Sequence, residues 1–256
     1  MKTIILCGGF GTRLREETEY KPKPMVEIGG HPILWHIMKI YSHYGYNDFG
    51  LCLGYKGEVI KDYFLKYRSM NSDIKISIGT SHETEYIKTN DFEKFKILLA
   101  ETGLNTMTGG RIKRVQKYIT DDTFMATYGD GVADIDINNL LKFHESHGKI
   151  ATLSVVHPLS RFGVVDIEGD KVVRFNEKPV LTTWINAGFY VFNKEIFDYI
   201  EDDTTVLEKD PLEQLAAEGK LCAYRHKGAF YPMDTYRDYL SLNKLWEEQK
   251  AEWKLW

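Results

Sequence analysis

Short apolar runs alternate along the chain with stretches whose apolar residues recur every three or four positions. The runs Thr3–Cys7, Phe49–Leu53 and Phe124–Tyr128 each stop at glycine, which is typical of buried β-strands that end in loops. Between the first two runs, apolar residues at helical spacing from His31 to Gly45 predict a helix with a glycine at its C-terminal cap. Strands that alternate with helices favour an α/β fold with a mixed, mostly parallel sheet.

Further segments continue this pattern. We expect strands at Ile74–Ile78 and Asn186–Phe192, and helices at Gly57–Tyr67, Arg111–Ile119, Ile137–Ser146, Leu212–Glu218 and Tyr236–Glu248. Two alternating runs around Glu168-Gly169-Asp170 predict an antiparallel β-hairpin as an excursion from the sheet. The sequence contains no repeat, low-complexity tract or linker, so we expect one domain over residues 1–256.

Composition and charge exclude several classes of protein. With 256 residues, 43% of them hydrophobic, the chain is globular, and its net charge of −4 disfavours a nucleic-acid-coating protein. The cysteines at positions 7, 52 and 222 form no C-x-x-C pair, which argues against a disulfide framework or a zinc site. We find no signal peptide and no apolar stretch of the ~20 residues that a membrane helix needs. We therefore expect a cytoplasmic protein with no nucleic-acid or membrane partner.

The first candidate site is the glycine-rich segment Leu6-Cys7-Gly8-Gly9-Phe10-Gly11-Thr12-Arg13, which follows the first strand. Backbone amides in such a loop can approach phosphate oxygens, and Arg13 and Lys23 would neutralise their charge. A tight turn beside a solvated cation explains the same residues. The chain has no Walker A motif, and the glycine spacing does not match a Rossmann fingerprint.

A second candidate is Asp130, between Gly129 and Gly131 at the end of the predicted strand Phe124–Tyr128. This position places a carboxylate at the same sheet edge as the glycine loop, where Mg²⁺ would need one or two acids and take its other ligands from phosphate and water. The alternative is a turn-forming aspartate. Asp134 and Asp136 are better explained as helix N-caps, and His144 and His147 as surface histidines.

Several strings together resemble a known family. They are Gly8-Gly9-Phe10-Gly11-Thr12-Arg13-Leu14, Lys21-Pro22-Lys23-Pro24-Met25, Met107-Thr108-Gly109-Gly110-Arg111, Tyr128-Gly129-Asp130-Gly131, Asn176-Glu177-Lys178-Pro179, Ile185-Asn186-Ala187-Gly188 and Pro232-Met233-Asp234-Thr235. In this order the chain resembles the sugar-1-phosphate nucleotidylyltransferases, and its loop sequences are similar to the cytidylyltransferase branch. The resemblance spans the whole chain.

The resemblance implies a Rossmann-like fold with a nucleotide-binding half (about 1–135), a sugar-phosphate half (about 136–235) and a C-terminal helix and tail (236–256). It assigns nucleotide binding to the Leu6–Arg13 loop, Lys23, Thr106, Arg111 and Gly129. It places Mg²⁺ on Asp130 and Asp234, and the acceptor on Gly163, Glu177, Lys178 and Asn186. Arg13, Lys23 and Asp130 are the implied catalytic residues.

The implied reaction joins CTP and glucose 1-phosphate into CDP-glucose and pyrophosphate, for deoxysugar and O-antigen synthesis. A thymidylyl- or uridylyltransferase, or an inactive nucleotide-sugar-binding module, remains an alternative. A homo-oligomer is also expected. Trp246, Trp253 and Trp256 near the C-terminus belong either to the core or to a subunit contact.

Overall fold

The strands and helices of the protein alternate along most of its length. The computed structural model describes residues 1–79, 83–87 and 93–256, and of residues 13, 15 and 16 it describes the backbone alone. The described strands are β1 (Lys2–Leu6), β2 (Glu27–Ile28), β3 (His31–Pro32), β4 (Asp48–Leu53), β5 (Asp73–Ser77), β6 (Glu83–Ile87), β7 (Lys96–Glu101), β8 (Thr123–Tyr128), β9 (Gly131–Ala133), β10 (Ala151–Val156), β11 (Val164–Glu168), β12 (Lys171–Asn176), β13 (Ile185–Asn193), β14 (Leu221–Arg225) and β15 (Phe230–Pro232).

The described helices pack mainly on the two faces of the sheet. They are α1 (Arg15–Thr18), α2 (Ile33–His43), α3 (Gly57–Leu65), α4 (Tyr67–Met70), α5 (Thr108–Arg114), α6 (Ile137–His147), α7 (Asp210–Ala217) and α8 (Tyr236–Glu247). Short 3₁₀ helices lie at Thr12–Leu14, Lys23–Met25, Gln116–Tyr118 and Lys194–Tyr199. No helix of the described ranges is long and apolar enough to cross a membrane.

Seven of the described strands form the central sheet, in the order β14-β10-β13-β8-β1-β4-β7. Only β13 runs antiparallel to its neighbours, β8 and β10, while the other described pairings in this sheet are parallel. Leu6 at the end of β1 lies beside Cys52 of β4 and Tyr128 of β8. The carboxyl ends of these three strands therefore meet at one edge. The predicted α/β fold with a mixed, mostly parallel sheet is confirmed.

The hydrophobic core has two layers, because successive strand residues point to opposite faces of the sheet. Ile5 of β1 belongs to the layer covered by α2, α3, α6 and α8, and Ile4 belongs to the layer covered by α5 and α7. Both side chains are fully buried. Burial of such a side chain contributes roughly 1.5–3 kcal/mol, so the two layers hold the loop ends at the sheet edge in place.

Several predicted elements differ in the structure. The predicted strand at Ile74–Ile78 does not join the central sheet, because β5 pairs with β6 in a separate, exposed two-stranded sheet. The predicted hairpin is confirmed as β11 and β12, and it too forms its own two-stranded sheet. The central sheet takes strands from both predicted halves of the chain, and the division into halves stays a prediction.

His144 is buried, so its assignment to the surface is wrong. Its Nδ1 lies 2.9 Å from Thr152 Oγ1 and its Nε2 lies 3.0 Å from Asn193 Oδ1, which ties α6 to β10 and β13. The predicted N-cap is confirmed for Asp136, whose side chain accepts a hydrogen bond from the backbone of Asn139. These polar groups stabilise the sheet rather than form a metal site.

The C-terminal tail closes the core beside α2. Trp253 is fully buried, and its Nε1 lies 3.4 Å from Nδ1 of His36. The Nε2 of His36 donates to the carbonyl of Ile28 at 2.8 Å. Trp246 and Trp256 contact the same histidine ring. Of the two alternatives for the tryptophans, Trp253 is therefore a core residue, and burial lowers the pKa of His36 to about 4.

Stability is expected to fall as the pH drops from about 6.5 to about 4. The unfolded chain binds a proton at His36 near pH 6.5 and the folded protein near pH 4, so protons favour unfolding in this window. The free energy of unfolding falls by about 1.4 kcal/mol per pH unit.

Urea unfolding between pH 7 and pH 4.5 measures this loss of stability. His36→Gln should flatten the pH dependence, and His43→Gln at the exposed end of the same helix is the control. Equal pH slopes in wild type and His36→Gln would contradict the assignment.

Candidate active site

Three segments far apart in sequence meet at one buried ion cluster at the sheet edge. The ammonium of Lys23 donates to Asp130 Oδ2 at 2.6 Å and to Asp234 Oδ1 at 2.7 Å. The Lys23 side chain is 9% exposed, whereas that of Asp130 is 34% exposed and that of Asp234 is 18% exposed. We call these three residues the Lys23 cluster. A nearly buried cation with two partly open carboxylates can meet both anionic groups and a metal ion.

Backbone hydrogen bonds position both carboxylates of the Lys23 cluster. Asp130 follows β8, where the amide of Gly129 donates to the carbonyl of Leu6 at 3.1 Å. A side chain at Gly129 would place its Cβ 2.8 Å from that carbonyl, so only glycine allows this approach. Asp234 follows β15, which pairs with β9 beside Asp130, and the amide of Met233 donates to the carbonyl of Asp130 at 2.8 Å. The two carboxylates therefore converge because of backbone pairing.

Asp234 is also tied to the start of α8. The backbone amide of Asp234 donates to Asp238 Oδ2 at 3.1 Å, and Asp238 forms a capping box with Thr235. Arg161 lies with its Nη2 4.0 Å from Asp234 Oδ2 and 3.7 Å from Asp238 Oδ2. A second cation thus approaches the cluster from the segment just before the β11–β12 hairpin.

The glycine loop lies next to this cluster, after β1. Gly11 has a positive φ of 64°, and its carbonyl accepts from Leu14 N and from Thr18 Oγ1, both at 3.0 Å. Phe10 is exposed and its ring lies 5.5 Å from that of Tyr55. The side chain of Arg13 lies outside the described part of the structure, so its predicted role is argued from sequence only. Burial raises the pKa of the Cys7 thiol, which argues against a reactive cysteine.

Arg111 donates a hydrogen bond to the backbone of the glycine loop. Its guanidinium donates to the carbonyls of Gly8 at 3.1 Å and Leu53 at 3.0 Å, and to Thr102 Oγ1 at 2.8 Å. Burial lowers the pKa of Arg111. A Cβ at Gly8 would lie 2.1 Å from the guanidinium. Arg111 and the buried Thr106 stay predicted nucleotide-binding residues, and in this geometry Arg111 holds the loop backbone.

The predicted acceptor residues fall into two places. Lys178 has a positive φ of 46°. Its ammonium lies 3.1 Å from Glu177 Oε1. A Cβ at Gly163 would lie 3.2 Å from Glu177 Oε2, so these three residues are neighbours beside the β11–β12 hairpin. Asn186 lies at the start of β13 and contacts Tyr190 instead. The structure thus brings Gly163, Glu177 and Lys178 together and joins Asn186 to the sheet edge.

The chain matches known proteins over nearly its whole length. The family model described as nucleotidyl transferase matches residues 2–252. The chain belongs to the nucleotidyl transferase family. It is 50% identical over the full length of both chains to a protein of Salmonella typhi named glucose-1-phosphate cytidylyltransferase. It is 44% identical, again over both full lengths, to a Bacillus subtilis protein named probable glucose-1-phosphate cytidylyltransferase. The predicted resemblance is confirmed.

A solved structure in the comparison supports the fold of this nucleotidyl transferase. HddC from Yersinia pseudotuberculosis superposes with a TM-score of 0.69 at 26% identity, covering 96% of this chain and 99% of that protein. Nucleotidyl transferases of this family generally use a divalent metal. Among the described residues no group of three or more histidine, cysteine, aspartate or glutamate side chains could hold one. Asp130 and Asp234 are two carboxylates that converge at this edge, and they stay the predicted metal ligands.

Sequence reasoning missed several residues of this nucleotidyl transferase site. Arg161 carries no motif, and only its approach to Asp234 in the fold marks it. Tyr128 directly precedes Gly129 and is the last residue of a buried strand. That position alone could have placed Tyr128 at the sheet edge. Glu208 lies in a loop with no pattern that points to a site, yet it accepts a hydrogen bond from Tyr128.

Proposed function

We propose that this nucleotidyl transferase transfers a cytidylyl group from CTP to α-D-glucose 1-phosphate, giving CDP-glucose and pyrophosphate. The observation that carries the proposal is the 50% identity, over both full lengths, with the Salmonella typhi protein named for this activity. The Lys23 cluster beside the glycine loop supports it, because it offers an ammonium for a phosphate group and two carboxylates for a divalent metal ion at one point.

The reaction needs positioning and charge neutralisation rather than a side-chain nucleophile. An oxygen of the sugar phosphate forms a bond to the α-phosphorus of CTP, and the bond from that phosphorus to the bridging oxygen of pyrophosphate breaks in line. Lys23 would stabilise the charge on the α-phosphate. The amides of the glycine loop and the predicted Arg13 would hold the leaving pyrophosphate.

A divalent metal fits the carboxylates of the Lys23 cluster. Asp130 and Asp234 both accept from one ammonium, so they are close enough to share a small cation. Mg²⁺, the predicted ion, prefers one or two carboxylates and otherwise keeps water and phosphate oxygens. When bound, it would supply further positive charge to the phosphates. Lys23 is the cation of this cluster that the chain itself would offer to the α-phosphate.

The acceptor side of the proposal rests on Gly163, Glu177, Lys178 and Asn186. Lys178 is 46% exposed and offers its ammonium from the hairpin side. Asn186 offers an amide from the start of β13. We infer that the lysine holds the sugar phosphate and that the asparagine and Glu177 meet sugar hydroxyls. The homo-oligomer, the cytoplasmic location and the supply of O-antigen synthesis stay predictions.

A panel of nucleotides tests the proposed function. The protein is incubated with glucose 1-phosphate, Mg²⁺ and each of CTP, dTTP, UTP, ATP or GTP, and released pyrophosphate is measured. We expect turnover with CTP to exceed that with the other nucleotides. Preference for dTTP or UTP would favour the thymidylyl- or uridylyltransferase alternative. Binding without pyrophosphate release would favour the inactive module.

Lys178→Ala is expected to weaken acceptor binding and spare CTP. A charge-assisted hydrogen bond to phosphate is worth roughly 1.5–3 kcal/mol, so the affinity for glucose 1-phosphate should fall by about one to two powers of ten. Calorimetric titration of each ligand measures this. Lys171→Ala, an exposed lysine on the same hairpin, is the control. Equal weakening of both ligands, or of CTP alone, would place Lys178 on the nucleotide.

A further inference from the structure

A continuous line of hydrogen bonds leads from Asn186 into the interior of the fold. Asn186 Nδ2 donates to the hydroxyl of Tyr190, which lies 2.9 Å from the hydroxyl of Tyr128. The Tyr128 hydroxyl contacts Glu208 Oε1, and Glu208 Oε2 accepts from Thr108 Oγ1 at 2.7 Å. We call these five residues the relay. It connects β13, β8 and the start of α5.

The carboxylate of Glu208 sets the direction of the hydrogen bonds in the relay. An ionised carboxylate only accepts, so the hydroxyl of Tyr128 must donate to Glu208. Tyr128 can then only accept from Tyr190, which leaves Tyr190 to accept from an N–H of Asn186. The amide oxygen of Asn186 independently accepts from Gly188 N at 2.8 Å. The orientation of the Asn186 amide is therefore set from two sides: Gly188 N holds its oxygen, and Glu208, through two tyrosines, holds its nitrogen.

The relay is packed so that it cannot easily rearrange. Tyr190 is 1% exposed, and a Cβ at Gly188 would lie 2.3 Å from the Tyr128 ring, so this ring lies directly on β13. Burial raises the pKa of Tyr128, and it raises the pKa of Tyr190 to about 12. Both hydroxyls thus keep their protons at neutral pH, and the bond directions persist.

The fixed amide presents a defined pair of groups to a ligand. Asn186 is exposed at the start of β13. An asparagine amide carries two N–H donors and two acceptor positions, and the relay and Gly188 use one of each. One donor and one acceptor remain, which is the combination that a pair of sugar hydroxyls needs. If the amide were flipped, its oxygen would face the Tyr190 hydroxyl, whose hydrogen is already donated to Tyr128, and its NH₂ group would face the N–H of Gly188.

We propose that Glu208 is a positioning residue for the acceptor sugar. Glu208 acts through Tyr128 and Tyr190 on the amide of Asn186. The proposal rests on the proposed function of the site, because it takes the ligand of Asn186 to be the sugar. It assigns to Glu208, Tyr128 and Tyr190 no direct contact with either substrate.

Steady-state kinetics of Glu208→Gln and Tyr190→Phe test the relay. Each variant should raise the KM for glucose 1-phosphate about five- to tenfold, the size expected for one misplaced hydrogen bond, and change the KM for CTP less than twofold. Tyr190→Phe removes one oxygen and leaves the contact between Glu208 and Thr108 in place, so it serves if Glu208→Gln folds poorly. Glu213→Gln, an exposed acid on α7, is the matched control.

A double-mutant cycle separates positioning from a general structural role. In an Asn186→Ala background, Glu208→Gln should cause no further rise in the KM for glucose 1-phosphate, since the amide it positions is gone. Additive effects, an equal rise in both KM values, or an unchanged KM for glucose 1-phosphate in both single variants would overturn the relay.

The proposed function and the relay can fail separately. If wild type releases no pyrophosphate from CTP, the proposed function fails, and calorimetric binding of glucose 1-phosphate replaces the KM in the same cycle. If wild type turns over CTP but the cycle is additive, only the relay fails. Absence of glucose 1-phosphate binding by the wild-type chain would overturn both.

Discussion

Asp130→Asn is expected to abolish nucleotidyl transfer while the protein stays folded. Asparagine keeps the size of the side chain but removes the charge that a divalent metal requires, and loss of one such electrostatic contact costs about 10²–10³ in kcat. Folding should persist because Lys23 keeps Asp234 as its partner at 2.7 Å. Pyrophosphate release at increasing Mg²⁺ concentration measures the effect, and Asp234→Asn should behave alike.

The control for this experiment is Asp198→Asn, an exposed acid in the 3₁₀ helix Lys194–Tyr199. It should retain the wild-type rate and melting temperature. If Asp130→Asn or Asp234→Asn reaches the wild-type rate at saturating Mg²⁺, that aspartate does not belong to the metal site.

Lys23→Ala is expected to lower kcat by about 10²–10³ and to make stability depend on Mg²⁺. Without the ammonium, Asp130 and Asp234 lose the cation that contacts both of them, and like charges at short range destabilise the fold. A divalent cation that binds only the folded protein would relieve this repulsion. Melting temperatures with Mg²⁺ and with a chelator should therefore differ more in the variant than in wild type.

Lys21→Ala provides the matched comparison, since Lys21 lies two residues earlier and pairs with the acids Glu17 and Glu27, at 3.8 and 3.9 Å. It should leave kcat and the Mg²⁺ effect unchanged. A Lys23→Ala variant whose melting temperature responds to Mg²⁺ no more than wild type would show that the two carboxylates do not hold the ion.

Much of the sheet edge could be predicted from local pattern. Strands β1, β4 and β8 are buried runs that end at glycine, and parallel strands bring such ends together, so the sequence places Asp130 beside the glycine loop. Strands β7, β10 and β14 of the central sheet were missed, because a short apolar run carries no period that separates a strand from a buried helix. The alternation of polar and apolar residues in β5 does correspond to a strand, but a two-residue period does not say which sheet a strand joins.

The long-range contacts of the site could not be predicted from pattern. Asp234 was expected only through the resemblance, since nothing near it in sequence indicates that it meets Lys23, 211 residues earlier. The relay depends on contacts between β8, β13 and a loop, and hydrogen-bond direction exists only once these are assembled. Tyrosines in buried strands are ordinary core residues until their hydroxyls have partners.

The reversed direction of β13 has a consequence for how new sugar specificities could arise. Because β13 runs opposite to β8, it is the start of the strand, with Asn186, that lies at the edge where the parallel strands end. The segment that enters this strand, including the β11–β12 hairpin, therefore arrives at the same edge as the glycine loop. In the proposed function, substitutions in this segment would alter the acceptor side of the site, whereas the glycine loop follows β1 and Asp130 follows β8.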